Sequence, residues 1–237
     1  IRILREVLPK RTVHLALEVV PQSGERLAND YVRKRLDEAR FLDGINYQKR
    51  WGFPWEHYRQ LFTFAREHAL RILALNSDEG DKLDLASRDR LAAELIVRHT
   101  LEHPDVLIFC LYGDLHVATP HIPRAVDQLL AKEGVKRKTL TIFQNSEPIY
   151  WQLAEKALED HVDVVEVSPR AFCILSTAPW IKWQSYRSWL EDQSDLLDEP
   201  FVQVDPTDAS PDHYHQLLEM AERILDADAV QRVVRGV

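Results

Sequence analysis

Leu107–Ile108–Phe109–Cys110–Leu111–Tyr112–Gly113–Asp114–Leu115–His116 is an apolar run too short for a helix. It breaks at a glycine and at once delivers a carboxylate and an imidazole. A strand that supports polar groups at its carboxyl end is how an α/β sheet presents chemistry. Two further runs end in the same way: Val13 to Leu17 meets Glu18, and Arg71 to Leu75 meets Asn76. Right-handed crossovers would put all these ends on one edge of a parallel sheet. Glu18, Asn76 and the Asp114/His116 pair are therefore expected around one crevice, the alternative being that each tip only caps a loop.

Working outward, helical and strand-like segments alternate. Ile1, Leu4, Val7 and Leu8 form one helical stripe, and Pro9 to Arg11 turn the chain into a strand over 12–20. Residues 25–36 read as an exposed helix. Residues 38–51 have no steady period and read as a mobile insertion or short helices over the crevice. Pro54 suits the first turn of a helix, whose buried stripe is Tyr58, Leu61, Phe62 and Ala65. A strand over 71–76, a helix over 86–102 and a strand over 106–112 follow. The next helix runs to Lys132 and stops at Gly134. Strands over 139–143, 162–167 and 171–175 and a helix over 149–158 complete the pattern. This order predicts an α/β fold, a mostly parallel β-sheet flanked by helices in three layers. From Trp180 the character changes. Trp180, Trp183, Tyr186 and Trp189 recur at helical spacing, residues 192–211 are acidic with prolines, and 213–225 read as a final helix. The expected organisation is an α/β domain over 1–178 and a helical extension with an acidic linker over 179–237.

At 237 residues, with 45% hydrophobic and 29% charged, the chain has the composition of an ordinary folded protein. Its net charge of −8 speaks against a general phosphate-backbone binder. No apolar run is long enough to span a bilayer. Cys110 and Cys173 lie in apolar runs and are expected to be buried free thiols without a disulfide framework. No P-loop or dinucleotide glycine pattern occurs, no Gly-x-Ser-x-Gly elbow, and no activating setting for either cysteine. The chain opens at Ile1 within its helical stripe, so an earlier segment is expected outside this sequence. An export signal or lipid-anchor cysteine would belong to that segment, which leaves localisation open between cytoplasm and envelope.

Several residues carry candidate chemistry. Glu18 lies amid Ala16, Leu17, Val19 and Val20, where a carboxylate needs a partner, a metal or a raised pKa. Asp114 and His116, two apart, are expected to address one volume from an extended backbone. His121 follows just before Pro123, with helix capping as its alternative role. Imidazoles with carboxylates suit Zn²⁺, Mn²⁺ or iron, and equally general acid–base work. In Ser87–Arg88–Asp89, Ser87 is expected as an N-cap and Asp89 as a favourable charge at the helix dipole. Arg88 has the option of reaching a propionate, phosphate or carboxylate. His99 and His103, spaced i, i+4, read as a surface pair near a helix end, and His213 and His215 carry less weight still.

The segments Val13-His-Leu-Ala-Leu-Glu-Val-Val20, Phe53-Pro-Trp-Glu-His-Tyr58, Ile72-Leu-Ala-Leu-Asn76, Ala86-Ser-Arg-Asp89 and Gly113-Asp-Leu-His-Val-Ala118 with His121 occur in a telling order. Together with Phe143-Gln-Asn-Ser-Glu147 and Ile149-Tyr-Trp151, they resemble the ChaN-like haem-binding family of the Tiki and erythromycin-esterase superfamily, over roughly residues 1 to 180. The resemblance implies a sheet-centred α/β fold with a polar cleft at the strand ends. It also places Glu18 and His116 at the superfamily's shared acidic and Gly-x-x-His positions. One departure stands out: the earlier strand ending in Gly-(Glu/Asp)-x-His, which family members carry ahead of the opening helix, is missing from this sequence.

Two function classes follow from the resemblance. In the first, haem lies against Trp51, Phe53, Trp55, His57 and Tyr58, with iron held axially by Tyr or His; for Tyr58 the competing role is anchoring its helix in the core. Glu18, Tyr58, Asn76, Arg88, His116 and His121 are then the expected cofactor contacts. In the second, a metal-dependent hydrolase, Glu18, Asp114 and His116 hold a divalent ion, and Glu18 and His116 are catalytic. The expected cofactor is thus haem or a divalent metal ion. The expected partner is a small molecule, with no nucleic acid and no membrane span, and with a homodimer as an open arrangement.

Overall fold

A computed structural model describes residues 1–51, 53–79, 82–181 and 184. The chain divides into two compact units, Ile1–Arg137 and Lys138–Val237. The expected linker over 192–211, the final helix over 213–225 and the aromatics Trp183, Tyr186 and Trp189 lie outside the described residues.

The first unit is built on three parallel strands, β1 (Val13–Pro21), β2 (Arg71–Asn76) and β3 (Leu107–Leu111), in the order β2-β1-β3. Around them run α1 (Arg2–Val7), α2 (Glu25–Val32), α3 (Glu38–Gly44), α4 (Tyr47–Arg50), α5 (Glu56–Glu67), α6 (Leu85–Glu102), α7 (Asp114–Val117) and α8 (Ile122–Lys132). Alternation along the strands explains the layers. Leu15, Leu17 and Val19 of β1 and Ile72 and Ala74 of β2 join residues of α2, α3 and α5 in one core. Ala16, Leu73 and Leu75 point the other way, into a core with α6 and α8. The sheet is therefore sandwiched between helices, as the sequence pattern predicts.

The two edges of this sheet differ. On β2 the side chain of Asn29 accepts from the Ile72 N–H at 3.0 Å and donates to the Ile72 carbonyl at 2.8 Å. Glu25 accepts from the Ala74 N–H at 3.0 Å. Helix α2 thus satisfies the outward backbone groups that an edge strand would otherwise leave open. Strand β3 is half-exposed along its length, and Cys110 is exposed on it. This corrects the expectation that Cys110 is buried: an apolar run buries every residue only when its strand is covered on both sides, and β3 is the last strand of this sheet. Cys173 is buried, as expected.

Residues 38–51 form two short helices rather than a mobile insertion. They belong to an aromatic core in which Phe41 stacks on Tyr31 at 4.9 Å, and Trp55 and Phe62 close the cluster. Tyr47, also buried, donates to the Phe53 carbonyl at 2.8 Å. The cap of the long helix lies three residues before the expected one: Asp84, not Ser87, caps α6 by accepting from the Ser87 N–H at 2.7 Å.

The second unit holds β4 (Thr141–Gln144), α9 (Glu147–Ala154), β5 (Val164–Ser168) and β6 (Ala171–Ile174), in the sheet order β4-β6-β5. Strands β4 and β6 are parallel, whereas β5 and β6 are antiparallel. Only Pro169 and Arg170 separate the latter two, too short a link for the crossover that parallel strands need, and Arg170 takes the turn at φ 69°. Phe143, Ile149, Leu153, Val165 and Cys173 are among its buried residues. No described helix is long and apolar enough to cross a membrane.

Candidate functional site

Glu18 lies in the central strand β1, just after the last residue that pairs with β3, Leu17 opposite Leu111. Just beyond β3, the Gly113 N–H donates to Glu18 Oε2 at 2.8 Å. The chain then winds into the single turn α7 instead of staying extended. Its rotation sends residues two apart to different sides, so His116 is buried while Asp114 is exposed. The His116 ring returns toward the strand tip, with Nε2 at 3.9 Å from Glu18 Oε1. Glu18 thus stands beside the imidazole while Asp114 faces outward.

A second carboxylate enters from α6. Asp89 Oδ1 lies 2.5 Å from His116 Nδ1, and Asp89 Oδ2 lies 2.6 Å from His121 Nδ1 at the start of α8. Asp89 and His116 are 5% and 6% exposed, so this bridge is held away from water. Asp89 stands on the buried face of α6 with Ala92, Ala93 and Ile96, at the spacing of a helix's apolar stripe. Because α6 begins at Leu85, Asp89 lies past its first turn and serves the two rings rather than the helix dipole. An ionised carboxylate only accepts, so each Nδ1 donates to Asp89, and Nε2 is the nitrogen that each ring keeps for another partner. Glu18 of β1, His116 of α7, Asp89 of α6 and His121 at the start of α8 form one connected chain.

The surroundings set the charge. Burial raises the Glu18 pKa above the ordinary carboxylate value. The Gly113 N–H, His116 and Arg88 oppose that rise, and Asp89 adds to it. Among the described residues, the Nε of Arg88 is buried with no hydrogen-bond partner. Tyr112 covers the ring of His116 edge-on at 4.7 Å. Burial, and then the Glu18 charge, push the Tyr112 hydroxyl pKa upward. Tyr58 is half-buried, meets Trp51 edge-on at 6.0 Å, and is pushed upward by burial, with Glu18 again contributing.

Of the residues singled out in the sequence, Glu18, His116 and His121 are joined through Asp89, and Arg88 and Tyr58 lie within electrostatic reach of Glu18. Asn76 closes β2 opposite Pro21 and makes no side-chain hydrogen bond among the described residues. Phe53 and His57 are exposed. Asp89 was the residue that sequence reasoning missed; the signal was a carboxylate at an apolar-stripe position of a long helix. His99 also departs from expectation. It is 3% exposed, not on the surface, because its helix face packs on the sheet beside His14.

Ligand atoms of Glu18, His116 and His121 do not gather within reach of one small ion. Among the described residues, the group of three that does is His99, Glu102 and His103, elsewhere in the unit. Comparison with known proteins bears on the same region. Residues 1–82 match the family model described as haem-binding uptake, Tiki superfamily, ChaN, which supports the resemblance drawn from the sequence motifs. The matched span contains β1 with Glu18, α5 with Tyr58, and β2. No curated protein and no solved structure gives a significant match.

Proposed function

We propose that this protein, whose first 82 residues carry the ChaN-like match, binds haem at the strand tips around Glu18 and His116. The observation that carries the reading is the grip of Asp89 on His116 Nδ1 at 2.5 Å, which leaves Nε2 as a pre-aimed ligand. A carboxylate that accepts from one nitrogen of a ligating histidine fixes its ring and raises its basicity at the other. Axial ligation of haem iron asks for one or two such protein atoms, whereas a catalytic zinc asks for three. Glu18 and His116 offer a pair, 3.9 Å apart, and that favours haem over the divalent-metal hydrolase. A bound haem would supply a redox-active iron centre.

The chain's own residues fit such a group. His116 Nε2 is the ligand atom and Asp89 its orienting partner. His121, held by the other oxygen of Asp89, keeps its Nε2 for a second contact. Arg88 brings a buried guanidinium nitrogen without a partner, suited to a propionate carboxylate. Trp51, Tyr58 and Tyr112 supply aromatic surface. The test is titration of haem into the purified full chain, followed by its Soret absorption. A saturable shift that His116→Ala abolishes supports the reading. An unshifted Soret band, with metal-dependent ester or peptide cleavage lost in His116→Ala, overturns it in favour of the hydrolase.

A further inference from the structure

Four residues before Glu18 on β1, about 13 Å away along an extended strand, lies a second polar cluster that the strand-tip site does not use. His14 Nδ1 is 2.7 Å from His99 Nε2. The His103 ring stands 4.6 Å from that of His99 and 5.4 Å from that of His14. Glu102 adds a carboxylate, and ligand atoms of His99, Glu102 and His103 all fall within 4.8 Å of one another. We propose that His14, His99 and His103, with Glu102, form a binding site for a first-row transition-metal ion of the Zn²⁺ type at the amino-terminal end of the parallel sheet.

The donor set is right for such an ion. Imidazoles with one carboxylate suit zinc and its neighbours and are poor ligands for Mg²⁺ or Ca²⁺. Two of the imidazoles come from one helix face at i, i+4, and the third comes from the strand packed on it, so the scaffold is rigid on both sides. A cleft of about 490 Å³ reaches His14 and Arg71, and Glu102 is itself exposed.

Two adjustments accompany metal entry. Ligands about 2.0–2.1 Å from a tetrahedral zinc stand about 3.3 Å apart, so the His14 and His99 nitrogens, now at 2.7 Å, must part by a few tenths of an ångström. Arg71 Nη1 lies 3.0 Å from His103 Nε2 and must swing away. Its charge competes with the metal and Glu102 offsets it, which makes Arg71 a natural probe of the site.

The test is Zn²⁺ titration of the full chain by calorimetry, with Co²⁺ as a visible-absorption probe. It is run on the wild type and on the His116→Ala, His103→Asn, Glu102→Gln and Arg71→Gln variants, each checked for native near-ultraviolet circular dichroism. One equivalent is expected to bind in the wild type and to persist in His116→Ala. His103→Asn and Glu102→Gln are each expected to weaken it at least tenfold and to remove the Co²⁺ bands, whereas Arg71→Gln tightens it several-fold. Loss of binding in His116→Ala alone, affinity unchanged in both His103→Asn and Glu102→Gln, or no binding in either the wild type or Arg71→Gln overturns the site.

Discussion

Asn29 binds both backbone polar groups of Ile72, accepting from its N–H and donating to its carbonyl, so one side chain of α2 stands where a neighbouring strand would be. The geometry makes α2 more than a cover for the apolar face of β2. Replacing Asn29 with Ala leaves a half-buried N–H and C=O without partners, each worth about 1–3 kcal/mol. The expected result is a loss of about 2–4 kcal/mol in urea unfolding, with a raised tendency to aggregate through the exposed edge. A loss below the error of the midpoint would show that water replaces the amide at no cost.

Asp89→Asn tests the strand-tip site without removing a ligand. The amide presents an N–H to one of the two rings, which breaks the common orientation of His116 and His121. Haem affinity is expected to fall about 10–100-fold, read from the Soret titration, while far-ultraviolet circular dichroism stays native.

Glu18 gives a prediction of the opposite kind for stability. Its folded pKa lies above the ordinary carboxylate value because burial penalises the charge. Between the ordinary and the raised value the folded state holds more proton than the unfolded chain, so this group's contribution worsens as pH rises through that window. Glu18→Gln keeps an acceptor for the Gly113 N–H and removes the buried charge. The melting temperature at pH 7 is expected to hold or rise, with haem affinity reduced. A melting temperature several degrees lower would mean that the ion pair outweighs desolvation.

His99 titrates with the reverse sense. Its folded pKa of about 4 lies below the ordinary 6.5, and burial is the main cause. The unfolded chain therefore binds a proton first as pH falls. Stability from this group is complete above about pH 6.5 and is lost toward pH 4, by about 1–3 kcal/mol. Urea midpoints measured at pH 7.5 and pH 4.5 are expected to differ less in His99→Gln than in the wild type.

Much of this architecture is legible in the chain. The periods that define β2 and α6 coincide with the observed elements to within a residue, because each combines a clear apolar pattern with a clean stop. The capping of α6 was harder to place: Asp84 and Ser87 are both good caps, and only the N–H geometry separates them. The antiparallel turn at Pro169–Arg170 was overlooked because neighbouring β-segments invite a crossover reading unless the length of the link is weighed. At the site, Glu18 and His116 stand out as polar residues ending apolar runs. Asp89 hides because a helix expected to start at Ala86 with Ser87 as its cap puts an acid where the helix dipole favours one, whereas α6 begins at Leu85 and carries Asp89 past its first turn. Asp114 misleads because one helical turn after Gly113, not an extended segment, decides which side chain turns inward.

Each oxygen of Asp89 is committed to a different ring. The imidazoles are thereby yoked: tugging one by a fraction of an ångström drags the carboxylate and, with it, the other. Because His121 is the residue from which α8 departs, a guest seated against Glu18 has a mechanical line to an eleven-residue helix that it never touches.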